Sequence, residues 1–322
     1  MNKAVRGRAG TQKLIILGTL VLLFVVFTLL KPSFASYLNL MTIALSTCVN
    51  GLLALGITFV ITSGGIDLSL GTTMTFCSVM SGVSFVTWGF PIWLAILFGF
   101  LVGAVCGGIS GFAITKMKLP PFIATMSMQM ITKGLSLVVS GIKPVYFTAA
   151  PGYKQIAMGS FLGIDGFHNA FVFYVLAILL AYALYTKTLL GRYTTAIGSN
   201  QEAARLSGIN TDRWKILIYV VCGMFSAAAG LIMSSRLGSA QPQLGAGYEM
   251  EAIAAAVIGG TSMSGGEGSI IGTVIGAFII SVLTNGLRTM AVSTEWQTVV
   301  IGLVLAIAVY ADMLRRKKLE RA

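Results

Sequence analysis

The residues equipped for chemistry are few, and their types favour hydrogen bonding over bond-making. The ten acids (Asp67, Asp165, Glu202, Asp212, Glu249, Glu251, Glu267, Glu295, Asp312 and Glu320) fall at the edges of apolar runs or in loops, and none is paired for general acid–base work. A lone His168 excludes a histidine-rich metal site, and no nucleophile stands beside a base, so neither a metal nor a cofactor is expected. Cys48, Cys77, Cys106 and Cys222 all lie in apolar runs without a CxxC pair and read as small buried hydrophobes. No GxxxxGK[ST] phosphate loop occurs. What remains is a set of polar side chains inside apolar runs: Asn50, Thr58, Gln129, Thr132, Asn285 and Lys133. Each amide or hydroxyl can bond a neighbouring helix, and Lys133, seven residues from its run's end, can snorkel to an interface.

The elements that carry these groups follow from composition. Of 322 residues, 56% are apolar and 10% charged, with a mean hydropathy of +0.88. A soluble domain averages about 25% charged residues, so a water-soluble globule or a disordered chain is ruled out and lipid is the expected solvent. The net charge of +12 sits in short clusters between apolar runs and is not interleaved with aromatics, so no nucleic-acid partner is expected. Apolar runs at 14–30, 41–62, 69–87, 92–114, 121–140, 169–186, 214–233, 250–263, 269–288 and 296–312 predict ten transmembrane helices and an all-α polytopic fold. The 17-residue first run is too long for a signal h-region of about 7–15 residues and reads as a span.

Charge fixes the orientation. With the N-terminus inside, sixteen Lys and Arg fall in cytoplasmic segments, from Lys3, Arg6, Arg8 and Lys13 through to the tail at Arg315, Arg316, Lys317, Lys318 and Arg321. Five (Lys31, Lys143, Lys154, Arg236 and Arg288) fall outside. This positive-inside bias and two basic termini require an even number of crossings. The expected organisation is one transmembrane domain over 1–322. Its tails are cytoplasmic (1–13 and 313–322), residues 141–168 form an outer loop rich in Gly, Pro and aromatics, and 187–213 form a charged cytoplasmic loop.

That cytoplasmic loop contains Gly198-Ser199-Asn200-Gln201-Glu202-Ala203-Ala204-Arg205-Leu206-Ser207-Gly208-Ile209. Ser199 or Asn200 suits an N-cap, Glu202 complements the helix dipole, and Gly208 can close the helix in a left-handed conformation. The spacing predicts a two-turn helix over 201–207, too short to hold alone in water. Two readings stand: the helix docks on a partner, or it packs on its own bundle.

Glu202-Ala203-Ala204 followed by Gly208 resembles the EAA-type coupling motif of ATP-binding-cassette importer permeases. Further segments narrow the resemblance to the ribose-type carbohydrate permeases of bacterial inner membranes. They are Ser63-Gly64-Gly65-Ile66-Asp67-Leu68-Ser69, Gly191-Arg192-Tyr193, Ser239-Ala240-Gln241-Pro242, Gly247-Tyr248-Glu249 and Gly259-Gly260-Thr261-Ser262. The resemblance covers nearly the whole chain. It implies a transport subunit without an ATPase site, an ATPase docked at Glu202, Ala203, Ala204 and Gly208, a periplasmic sugar-binding protein and a second permease copy. A monosaccharide, ribose first, is the implied cargo. Asn50, Gln129 and Asn285 then become candidates for the substrate path. An ion-coupled carrier is the alternative, disfavoured because no acid is expected inside a span.

Two Gly-rich breaks match at an offset of 201 residues: Ser63/Ser264, Gly64/Gly265, Gly65/Gly266, Gly71/Gly272 and Thr72/Thr273. Chance repetition in a Gly-rich chain and a parallel internal repeat are both open. Gly64, Gly65, Asp67, Gly265 and Gly266 are candidate hinge or pathway residues, with Asp67 or Glu267 able to cap the following helix. Gly103-x3-Gly107-x3-Gly111 and Gly272-x3-Gly276 have the spacing of close helix contacts, expected within the chain more than between chains.

Overall fold

The computed structural model describes residues 3–164 and 166–320, and side chains within 14–164 and 166–314; Asp165 and the side chains of the basic termini lie outside the described residues. The described residues form thirteen α-helices: α1 Lys3–Leu30, α2 Tyr37–Thr62, α3 Leu70–Val86, α4 Ile92–Thr115, α5 Pro121–Ser140, α6 Tyr153–Met158, α7 Asn169–Lys187, α8 Leu189–Ser199, α9 Gln201–Leu206, α10 Thr211–Leu237, α11 Tyr248–Ile258, α12 Ile270–Thr289 and α13 Thr294–Glu320. The strands β1 (Val145–Tyr146) and β2 (Ser239–Ala240) pair antiparallel. Among the described residues, seven helices are long and apolar enough to cross a membrane, and the apolar stretches of α1 and α3 are slightly shorter. The protein is a multi-pass integral membrane protein.

The eighth predicted run is where the structure departs from the expected helix lengths. Residues 250–263 were expected to span, but α11 is only 11 residues long and ends at Gly259. At 1.5 Å per residue it covers about 16 Å, half of the hydrocarbon thickness.

Burial sorts the bundle into centre and periphery. In α2 every residue from Thr47 to Thr62 is buried, and 89% of its most apolar window is covered, against 6% in α13 and 17% in α7. A helix that is hydrophobic on all sides and covered on all sides is the central column. α10, α11 and α12 pack directly on it.

Small residues let these helices touch backbone to backbone. A Cβ on Gly103 would sit 2.4 Å from the Gly223 carbonyl oxygen, and one on Gly107 would sit 2.1 Å from that of Tyr219. Gly111 faces Ile216 in the same seam, so the Gly103/Gly107/Gly111 stripe joins α4 to α10. Gly272 and Gly276 meet the Gly259 and Ala255 carbonyl oxygens in the same way, joining α12 to α11. Both stripes serve packing within the chain, as their spacing suggests.

The loop over 141–168 is tied down at several points. Tyr153 Oη and Ser234 Oγ are 2.7 Å apart, and Ser235 Oγ accepts from Ala157 N at 2.9 Å and donates to the Tyr153 carbonyl at 2.7 Å. Phe147 and Tyr153 stack with centroids 3.9 Å apart. Burial raises the Tyr153 phenol above its usual range, which keeps it neutral.

The α4–α10 seam makes a direct prediction. Gly107→Ala must push two backbones apart and should lower stability by about 1–3 kcal/mol, read as a lower melting temperature of the detergent-solubilised protein. Gly108→Ala, whose Cβ would meet only Val220 Cγ2 at 3.5 Å, should melt like the parent.

Candidate functional site

Three groups of expected residues lie at three levels of the bundle. At one end, α9 forms as its sequence dictates. Asn200 is the N-cap and its Oδ1 accepts from Ala203 N at 2.9 Å. Glu202 lies in the first turn, and Gly208 follows the helix at φ +84°, with its N–H donating to the Arg205 carbonyl at 3.0 Å. Ala204 is buried against the protein, while Glu202, Ala203 and Leu206 face outward, Leu206 at 85% exposure. An apolar side chain this exposed on a six-residue helix is the feature of a surface that awaits a partner. Behind α9, a pocket of about 390 Å³ is lined by Lys116, Arg205, Gly208 and Asp212, with Lys116 Nζ and Asp212 Oδ2 paired at 2.7 Å.

The second group is the pair of Gly-rich breaks, which the fold brings into contact. Gly266 N donates to the Thr62 carbonyl at 2.8 Å, and a Cβ on Gly265 would lie 2.9 Å from Gly64 N and 2.8 Å from the Gly198 oxygen. Gly64, Gly265 and Gly266 all hold positive φ, between +76° and +81°. Gly65 does not; its Cβ position is filled by Tyr219 Oη. Gly198 stands three residues before Gln201, at the end of α8, so α9 follows closely on the point where the breaks meet. Asp67 is buried and accepts from Ser69 N at 2.8 Å and Ser69 Oγ at 2.7 Å, which organises the turn into α3. The cap of α12 is Ser269, whose Oγ accepts from Gly272 N at 3.1 Å, in the place expected for Glu267. Asp312 Oδ2, on α13, accepts from Ser262 Oγ at 2.8 Å and steadies the second break.

The third group sits at mid-depth, where two helices begin. Thr72, in the first turn of α3, bonds Thr132 at 2.8 Å, and Thr132 lies eleven residues along α5 from Pro121. That distance is about 16 Å, so α3 starts halfway through the bundle. Gly71 abuts Gly245 and Glu249, which places the start of α11 at the same level. There Gln129 Nε2 donates to Glu249 Oε1 at 3.0 Å, and Gly247 N donates to Glu249 Oε2 at 3.0 Å. Asn50 Nδ2 donates to Glu251 Oε2 at 2.5 Å. Asn50 is the midpoint of α2.

Two of the three path candidates, Asn50 and Gln129, are thus brought to one helix N-terminus. Asn285 is not. It is buried in the C-terminal half of α12, where the neighbouring Gly286 packs on Phe27 and Thr289 Oγ1 donates to its carbonyl oxygen. The expectation that every acid lies at a span end or in a loop is corrected: Glu249 and Glu251 stand beside the middle of α2. They look terminal in sequence because they open an apolar run. A signal was present in the Gln241-to-Gly247 stretch, a Pro- and Gly-rich break too short to cross and return.

A family model described as branched-chain amino acid transport system / permease component matches residues 39–309. The chain belongs to this permease family. Among its relatives, the permease is 44% identical over 300 residues to the ribose import permease protein RbsC of Bacillus subtilis, covering 93% of this chain and 91% of that one. It is 39% identical to the RbsC of Haemophilus influenzae, covering 93% of each, and 37% identical to the fructose import permease protein FrcC of Rhizobium meliloti, covering 92% and 84%. A solved ABC transporter described as of metal-chelate type, in an inward-facing conformation, superimposes with a TM-score of 0.52 at 15% identity, covering 92% of the permease and 99% of that chain. That likeness shows the fold.

The breaks make a paired prediction. Gly64→Ala meets only Gly198 Cα, at 3.9 Å, and bears the left-handed strain of about 1–2 kcal/mol. Gly265→Ala bears the same strain and also collides with backbone at 2.8–2.9 Å, so it should melt at a distinctly lower temperature.

Proposed function

We propose that this permease is the membrane-spanning subunit of an ATP-driven importer of a monosaccharide, with ribose as the first candidate. The observation that carries the reading is α9: a capped, outward-facing two-turn helix bearing Glu202-Ala203-Ala204 and Gly208, attached to the junction of both Gly-rich breaks. Ribose import is the role named for the 44% identical relative and for the 39% identical one. In this reading the ATP is hydrolysed by a separate ATPase subunit docked on α9, and the permease itself is not an enzyme. Closure of the ATPase moves α9, and α9 moves the breaks at Gly64, Gly65, Asp67, Gly265 and Gly266 that form its footing. A periplasmic sugar-binding protein delivers cargo at the 141–168 face, and a second permease copy or a related one completes the path. The protein sits in the bacterial inner membrane with ten crossings, α3 and α11 counted as partial ones, and both termini in the cytoplasm. This orientation rests on the positive-inside bias.

A second reading draws on Glu249 and Glu251, since acids at mid-depth are what an ion-coupled carrier uses. One experiment separates the two. In proteoliposomes with ATPase and binding protein, sugar uptake should stop when ATP is withheld and persist when the proton gradient is collapsed. Uptake that follows the gradient would favour the carrier.

Two further outcomes are expected. A cysteine at Gly159 should label from outside and one at Ser199 only from inside, as scored with a membrane-impermeant maleimide. Gly208→Val, which forces a β-branched residue into φ +84° at about 1–2 kcal/mol, should leave the permease inserted but weaken ATPase co-purification or sugar-stimulated hydrolysis. Glu202→Lys should do the same, and neither should alter sugar preference.

A further inference from the structure

Resting on the reading as a sugar importer, we propose that Asn50, Tyr248 and Glu251 form a subsite inside the permease that binds adjacent hydroxyls of a neutral sugar halfway across the membrane.

The geometry is that of a half-occupied hydrogen-bonding site. Asn50 is 4% exposed, and its amide is committed at one end only: Nδ2 donates to Glu251, while the buried Oδ1 has no partner. An acceptor left empty in a medium without water is costly, so it marks a place where a donor is missing. Glu251 is half-buried, with one carboxylate oxygen, Oε2, taken by Asn50 Nδ2. Glu251 stands in the first turn of the 11-residue α11, and Asn50 reaches it from the midpoint of α2.

The chemistry selects a polyhydroxylated neutral molecule. Each sugar hydroxyl donates one hydrogen bond and accepts others, so one hydroxyl can donate to Asn50 Oδ1 while its neighbour donates to Glu251. The Tyr248 ring, partly exposed beside them, offers an apolar face to the sugar's C–H surface. Gln129 and Glu249, by contrast, satisfy each other on the far side of the same turn.

The test uses a single reporter thiol. Met250 is exposed beside the site, and the four native cysteines are buried, so Met250→Cys supplies the reactive group; Ala246→Cys, also exposed, is the second reporter. The permease–ATPase complex in nanodiscs, without binding protein, is labelled with maleimide in the presence of D-ribose, 2-deoxy-D-ribose or sodium chloride against choline chloride. Ribose should slow labelling, and the deoxy sugar should protect less. Glu251→Gln and Asn50→Ser should each raise the half-protecting ribose concentration by about fivefold, the effect of one lost hydrogen bond. Glu251→Gln is isosteric, so it decides the matter if Asn50→Ser does not insert. No protection by ribose, equal protection in both variants, or protection by sodium would overturn the subsite. Uptake by the reporter variants in proteoliposomes tells the two failures apart: no sugar uptake removes the importer reading, whereas uptake without protection removes the subsite alone.

Discussion

A helix that starts in the middle of a membrane leaves its first N–H groups in a medium that cannot hydrogen-bond them. Much of this structure answers that constraint. α3 and α11 both begin at mid-depth, and each is enclosed by protein on every side that matters. Glu249 folds back to accept from Gly247 N, and Asp67 accepts from Ser69 N at the approach to α3. α2 covers the start of α11 and is itself buried along most of its length, α5 and the chain at Gly245 cover the start of α3, and α7 and α13 meet their surroundings with most of their surface. The glycine seams follow from the same demand. A broken helix can be roofed by neighbouring backbone only where side chains do not hold the backbones apart, and Gly71 against Gly245 is such a contact.

Most element boundaries were legible in the sequence because lipid makes composition decisive. The ends of α4, α5 and α7 follow their apolar runs to within a residue or two, and the small-residue stripes indicated intramolecular seams. α9 was legible for a different reason: Asn200, Glu202 and Gly208 are local signals that act within one turn of where they stand. The depth of α11 was not legible. A hydropathy run measures how apolar a segment is, not where it begins, and the run 250–263 combines an Ala-rich half-helix with the Gly-rich break that ends it. Depth is set by Gly71 meeting Gly245 from 174 positions away, a contact with no local signature.

The same limitation hid half of the polar site. Asn50 and Gln129 stood out as amides inside apolar runs, but their partners, Glu249 and Glu251, resembled ordinary charges at a helix end. Asn285 stood out by the same rule as Asn50, yet it packs near Phe27 and bonds its own helix. Polar residues in a span therefore mark candidates, and the fold decides which converge. The offset of 201 residues between the two breaks also separates Asn50 from Glu251, the pair that bonds across α2 and α11. The matched segments are in contact as well as similar.

The two-residue ladder between β1 and β2 has a mechanical meaning. Val145 pairs with Ala240 and Tyr146 with Ser239, so the 141–168 loop is clasped to the strand of chain that runs directly into the start of α11. With Phe147 N also held by the Gly238 carbonyl, the clasp amounts to a handful of hydrogen bonds, each worth about 1 kcal/mol net. On the importer reading, pressure on the 141–168 loop would travel from Ala240 along the chain to Tyr248 and Glu251, while a pull on α9 would reach the opposite end of the same short helix through Gly259. α11 is thus tied at both ends, to the 141–168 loop through the β1–β2 clasp and to α12 where Gly259 meets Gly272.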